Sequence, residues 1–190
     1  MPAPYWAITS VCWMIFWVYW SLSAPRRRQS KRKVARTFTV LNTGLLYLSF
    51  LLVWLGRSVP GWLGLLIVPQ NIVIDVMGTA FAIMGVAFAI WSRQLLRNNW
   101  SGEVAITEGQ RLIHSGPYAI VRHPIYAGML LALLGTTLVA STVGSVLGVV
   151  LAIISLWQKA RMEEQFLMVE FRELYTNYQR EVKFLIPFIY

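Results

Sequence analysis

The chain has 190 residues, 57% of them hydrophobic and only 13% charged, with a mean hydropathy of +0.56. Soluble domains carry about a quarter charged residues, so composition excludes a soluble globular protein and points to one membrane-embedded domain. A net charge of +9 would suggest nucleic acid on a soluble chain. Here the cations flank apolar runs, so topology and anionic headgroups account for them and no nucleic-acid partner is expected.

In chain order, Tyr5 to Ala24 is a first apolar run of the ~20 residues a spanning helix needs, with tryptophans near both ends. No basic segment precedes it, so it reads as a span and not as a cleavable leader. Cys12, the only cysteine, allows no internal disulfide and no thiolate metal site. The loop after the run, residues 25–36, holds seven cations (Arg26, Arg27, Arg28, Lys31, Arg32, Lys33 and Arg36) and is placed in the cytoplasm by the positive-inside rule. Thr37 to Leu55 is the second span. Gly56 to Gly61 breaks it, and Trp62 to Pro69 is apolar enough to lie along the outer interface. Asn71 to Trp91 is the third span, with Asp75 in its first turn where the helix dipole favours an acid.

A polar segment then reaches to about Pro124. Only 32 residues, Ile125 to Leu156, remain apolar before the next charged cluster, which is short for two full crossings at ~1.5 Å per residue. A tight helical hairpin over 125–160 is expected, with Gly128, Gly135, Gly144 and Gly148 letting its two arms approach. Glu163 to Arg180 carries Phe166, Leu167, Phe171, Leu174, Tyr175 and Tyr178 at helical spacing and reads as an amphipathic helix continuing the last span. The expected fold is therefore all-α: a single domain over 1–190 with about five transmembrane helices. Three spans occupy 1–91 and the functional part 92–190, with the N-terminus outside and the C-terminus in the cytoplasm.

The chemistry-bearing residues form two clusters on either side of the hairpin. The first is Gly116-Pro117-Tyr118-Ala119-Ile120-Val121-Arg122-His123-Pro124-Ile125-Tyr126-Ala127-Gly128, and the second is Lys159-Ala160-Arg161-Met162-Glu163-Glu164. In the first, a turn and a helix-starting proline place an Arg-His pair and two tyrosines at a helix N-terminus, where unpaired N–H groups favour an anion. In the second, Glu163 and Glu164 suit a cation or hydroxyl groups, and aromatic rings nearby suit a sulfonium. His114 and His123 lie nine apart with no partner at ligand spacing, so no metal is expected. There is neither a G-x-G-x-x-G phosphate turn nor a G-x-S-x-G elbow.

The joint pattern Gly116-Pro117-Tyr118-x-x-x-Arg122-His123-Pro124-x-Tyr126-x-Gly128, then Glu163-Glu164 and Phe171-x-x-x-Tyr175-x-x-Tyr178, resembles the isoprenylcysteine carboxyl methyltransferase family, whose wider relatives include the phospholipid N-methyltransferases. The resemblance covers roughly Asn98 to Phe188, and the N-terminal spans in kind only. It implies S-adenosylmethionine in a cytoplasmic pocket roofed by the segment before the hairpin and by the C-terminal helix. By position it carries cofactor binding onto Gln110, Arg111, Leu112, Ile113, Tyr118, His123, Pro124, Ile125, Tyr126 and Glu163. It also implies a lipophilic or lipidated acceptor drawn from the membrane. The family's substrate-contacting Arg falls at Lys159, with Arg161 two residues on, and Gln110 stands where eukaryotic members often have His.

Lys159 or Arg161 would hold a carboxylate acceptor, whereas an amine acceptor would need Glu163 or Glu164 to take a proton. Two other readings stay open. A sterol-reductase-type enzyme with a nicotinamide cofactor tends to carry an acid just after the Gly of the R-H-P-x-Y-x-G segment, where this chain has Met129. A non-enzymatic membrane scaffold would leave both polar clusters unexplained.

Overall fold

The computed structural model describes residues 3–23, 30–55, 58, 60–96, 105–107 and 112–186. Among these residues four helices are long and apolar enough to cross a membrane: α1 (Ala3–Leu22), α2 (Arg36–Leu55), α3 (Ile72–Leu96) and α5 (Val143–Phe171). Between the last two lies the shorter apolar helix α4 (Pro124–Ala140), and α6 (Glu173–Glu181) follows α5. The chain is thus a multi-pass helical membrane protein. The three predicted N-terminal spans and both arms of the predicted hairpin are present as helices, with their boundaries moved by a few residues, while the first arm, α4, is shorter than a full span.

The hairpin forms for local reasons. Pro124 occupies the first turn of α4, where its missing N–H costs nothing. Ser141 ends the helix in the left-handed region at φ 53°, and its N–H bonds Thr137 O at 2.7 Å. Thr142 immediately caps α5: its Oγ1 accepts from Ser145 N at 3.1 Å, while Ser145 Oγ accepts from Thr142 N at 3.2 Å. Two residues therefore reverse the chain. The apparent shortage of apolar length is resolved by unequal arms, α4 with 17 residues and α5 with 29, the latter running on through the second polar cluster. The apolar stretch after α2 is tied to the hairpin tip by Ile67 N to Ser141 O at 2.9 Å and Val143 N to Leu65 O at 3.0 Å.

The glycines do something other than expected. Gly128 and Gly135 face α3, not the other arm: a Cβ on Gly128 would stand 2.6 Å from Gly85 O, and one on Gly78 would stand 2.6 Å from Gly135 O. Gly148 likewise faces α2, where its Cβ would lie 2.6 Å from Ser49 O. The close approaches are α3 on α4 and α2 on α5, the pairs that pack most extensively, and not the two hairpin arms.

Two further departures lie at the end of the bundle that carries the basic loop, called here the basic end. Glu163–Arg180 is not one helix: Arg172 at φ 47°, ψ −120° breaks it, letting α6 turn back. Among the described residues the helices are accompanied by a small antiparallel ribbon, β1 (Ser30–Lys33) against β2 (Ala105–Thr107), which joins the basic loop to the segment leading into the first cluster. The buried Arg93 in the last turn of α3 donates to Ser23 O at 2.5 Å, just past the end of α1.

In mid-bundle Trp13 is 2% exposed and its indole N–H donates to Thr136 Oγ1 at 2.9 Å. Trp13→Phe is expected to cost about 1 kcal/mol, one buried neutral hydrogen bond. Trp17→Phe, on a more exposed face, should cost nothing measurable. Thermal melting of the two variants in detergent distinguishes them.

Candidate active site

The first cluster is shaped by its turn. Gly116 has φ +61°, where a Cβ is strained, and it sits against Leu95 of α3. Gly116–Ala119 form a single 3-10 turn with Pro117 and Tyr118 buried. The next residues pair with the segment that follows α6: Arg122 N bonds Lys183 O at 2.8 Å and His123 N bonds Phe184 O at 3.2 Å. Tyr178 Oη donates to Tyr118 O at 2.6 Å. The turn before α4 and the C-terminal strap (α6 and 182–185) are therefore one layer folded over the polar end of α5.

Within that layer the two adjacent acids differ sharply. Glu164 has a side chain only 3% exposed and is surrounded by donors. Arg122 Nε reaches its Oε1 at 2.6 Å, Tyr175 Oη reaches Oε1 at 3.3 Å, Gln179 Nε2 reaches Oε2 at 3.2 Å, and His123 Nε2 lies 3.4 Å from Oε1. Burial, with the Glu164 charge beside it, pushes the Tyr175 phenol far above the ordinary tyrosine range, and burial does the same to Tyr178; both stay proton donors at any physiological pH. The anion favoured at the start of α4 is thus the protein's own Glu164. Three of these groups converge on Oε1 and one on Oε2, so the carboxylate is held from several sides.

Glu163 is the available acid. Its side chain is 25% exposed, it accepts a hydrogen bond from Tyr126 Oη, and its Oε2 lies 3.7 Å from His123 Nδ1. The His123 ring is parallel to Tyr126 within 7°, at 5.7 Å between centroids, and meets Phe184 edge-on at 5.0 Å. Lys159, one helical turn before Glu163 and on the same face of α5, holds its Nζ 5.7 Å from the Tyr126 ring centroid. Arg161 is 55% exposed instead, lies over Trp157 at 5.9 Å, and approaches Glu164 only at 3.9 Å. Of the two candidate acceptor-binding cations, Lys159 is the one that joins the Tyr126–Glu163 group.

The remaining predicted residues divide. Leu112 packs on the Tyr175–Tyr178–Val182 cluster and Ile113 is half-buried nearby in sequence. Gln110 and Arg111 fall outside the described residues. Pro124 is buried at the helix start, and the side chain of Ile125 belongs to the hydrophobic core of the bundle, leaving at most its backbone for a ligand. Gln179 and Phe184 carry no role in the sequence motif, and Arg122 and Tyr175 enter it only as motif positions. The Tyr175-x-x-x-Gln179 spacing is the available signal for that pair, since within α6 it sets both side chains on one face.

Comparison with known proteins bears on this geometry. A family model described as phospholipid methyltransferase matches residues 73–173, just over half of the chain. The chain belongs to the phospholipid methyltransferase family. The matched span takes in α3, the turn, α4 and α5, and so both polar clusters. Two curated relatives align with the family member over 70 residues: a methanethiol S-methyltransferase of Pseudomonas sp. (strain GM41(2012)), 37% identical, and one of Pseudomonas deceptionensis, 39% identical. Each alignment covers 37% of this chain and 26% of the relative, so the chain matches about a quarter of their length. Among solved structures, the eukaryotic intramembrane Ras methyltransferase, isoprenylcysteine carboxyl methyltransferase, superposes with a TM-score of 0.57 at 18% identity, covering 84% of this chain and 55% of that one. The family member therefore shares its fold, as the motif resemblance implied.

Proposed function

We propose that the protein transfers a methyl group from S-adenosylmethionine to a lipophilic acceptor at the cytoplasmic membrane face, the acceptor group being a carboxylate like that of an isoprenylcysteine. The carrying observation is the convergence of Glu163, Tyr126, His123 and Lys159, drawn from both sides of the hairpin, at the basic end of the bundle. Family membership favours this reading over a reductase or a scaffold.

The donor set fits the cofactor. Glu163 keeps part of its carboxylate open while its neighbour is sealed, and stacked rings adjoin it, an arrangement that attracts a cationic group. Tyr118, Leu112 and Ile113 would line the same pocket, with His123 and Pro124 setting its edge. When bound, S-adenosylmethionine supplies an electrophilic methyl group on a sulfonium. The residues of this chain then have positioning work to do. Lys159 Nζ orients the acceptor carboxylate, which is already ionised near neutral pH and needs no general base. The strap excludes water. An apolar gap of about 780 Å³ between α1 and α2, lined by Trp13, Trp17, Phe50 and Trp54 among others, gives a hydrocarbon tail somewhere to lie. Trp13 is bonded to Thr136, ten residues along α4 from Tyr126, or about 15 Å, so a tail of a dozen or more carbons is needed to reach it.

A second reading is favoured by the family match itself, whose description names phospholipids: an amine acceptor, with Glu163 taking its proton. The curated relatives' printed substrate, a thiol, would need the same base. One experiment covers these readings. Detergent-purified protein is expected to bind S-adenosylmethionine, and Tyr126→Phe or Glu163→Gln to weaken binding by about 10- to 100-fold, as for one charge-assisted hydrogen bond. With labelled cofactor and total membrane lipid, base-labile label means an ester, and stable label means an amine or thioether product. Normal binding by both variants removes the site assignment.

A further inference from the structure

Arg122 belongs to none of the groups that would touch cofactor or acceptor, yet its side chain bonds to three separate residues at the basic end. Its Nε donates to Glu164 Oε1 at 2.6 Å, and its Nη1 donates to Val182 O at 2.5 Å and to Gln179 O at 3.2 Å. Its Cζ lies 5.5 Å from the Phe184 ring centroid, and its backbone N–H is held by Lys183 O. Gln179 and Val182 bracket the last turn of α6, where carbonyls have no helical partner and a cation is favoured. One planar group thus joins three pieces of chain: the start of α4, the polar end of α5 through Glu164, and the strap at its exit from α6.

We infer that Arg122 is a positioning residue, a latch that holds the strap of α6 and residues 182–185 over the site and thereby sets where Glu163 and Tyr126 meet. The link to Glu163 is direct. Glu163 and Glu164 are consecutive on α5, and His123, consecutive to Arg122, lies between them with Nε2 toward Glu164 and Nδ1 toward Glu163. Fixing Glu164 on Arg122 fixes the rotation of α5 against α4, hence the Tyr126–Glu163 contact. Phe184, which abuts the His123 ring, is carried by the strap that Arg122 secures. A lysine cannot replace this arrangement, because one ammonium on a flexible stem cannot serve a carboxylate on one side and two helix-end carbonyls on the other as a guanidinium fork does.

The inference rests on the proposed function for its binding arm, but not for its structural arm. Arg180 and Lys183 are exposed trypsin sites on the strap. In Arg122→Ala, cleavage there is expected to be about tenfold faster than in the parent protein, without any ligand, because release of the strap frees the backbone around these side chains to enter the protease. Arg122→Lys, which keeps the buried charge and should fold, is expected to melt near the parent temperature. It should nevertheless bind S-adenosylmethionine about tenfold more weakly, the scale of a small misplacement of a binding group. That separation of affinity from melting temperature is what a merely structural residue would not produce. Binding within twofold of the parent in Arg122→Lys, or unchanged strap cleavage in Arg122→Ala, overturns the inference. Should the parent protein bind no S-adenosylmethionine, the proposed function fails and the cleavage arm alone decides on the latch.

Discussion

Gly135→Ala should largely abolish the folded protein, although it adds one methyl group. Gly78 and Gly85 on α3 stand seven residues apart, as do Gly128 and Gly135 on α4, and the antiparallel helices set Gly85 against Gly128 and Gly78 against Gly135. The atoms that a new Cβ would strike are backbone: Gly78 O and Ala82 N for Gly135. No rotamer change relieves such a clash, so the two helices must separate along their length. Overpacking relieved by side-chain movement costs ~1–3 kcal/mol; here the cost should exceed that. The control is Gly44→Ala on α2, where nothing lies within 4 Å of the added Cβ. That change should be neutral or stabilising by up to about 1 kcal/mol through helix propensity. Yield and melting temperature in detergent test both, and equal behaviour of the two variants would show that the α3–α4 contact is not tight. The site depends on this contact, because α3 also carries Leu95, against which the Gly116 turn rests, while α4 begins at the His123–Tyr126 group.

The spans could be read before the structure because each is a run of apolar residues whose length alone matches a bilayer, and cations mark where they end. The R-H-P-x-Y cluster and the two glutamates were legible as residues that no lipid-facing helix needs. What they touch was not. Nothing in the pair Glu163-Glu164 says that one carboxylate is sealed by Arg122, Tyr175 and Gln179 while the other stays open; that depends on α5 continuing rigidly past the membrane and on α6 folding back. The fold-back turns on Arg172 adopting a left-handed φ, a conformation that an arginine does not advertise as a glycine would. The glycines were recognised as contact points but assigned to the wrong helix pair. Small residues show that something approaches closely, and tertiary packing decides what. The ribbon escaped notice because strand residues 30–33 are a basic run that looks like nothing but a topology signal.

The last expectation separates the two adjacent acids. Glu164→Ala removes one member of a buried ion pair and leaves the Arg122 guanidinium, whose side chain is 11% exposed, without its carboxylate. Breaking such a pair from one side costs about 3–5 kcal/mol, since the remaining charge keeps its desolvation penalty. Tyr175 and Gln179 lose their acceptor in the same step. The variant should melt well below the parent protein whether or not cofactor is present. Glu163→Gln, at a partly exposed position, should melt near the parent temperature in the absence of ligand. Its defect should appear only on adding S-adenosylmethionine. Ligand at 100 times its dissociation constant stabilises a protein by about 2.7 kcal/mol, so the parent should gain a clear upward shift, and Glu163→Gln much less of one at the same concentration. Two neighbours on one helix turn would then fail in opposite ways, one through folding and one through binding. If Glu164→Ala instead melts like the parent and loses only the ligand-induced shift, Glu164 is the acid that meets the ligand, and the assignment of roles between the two is reversed.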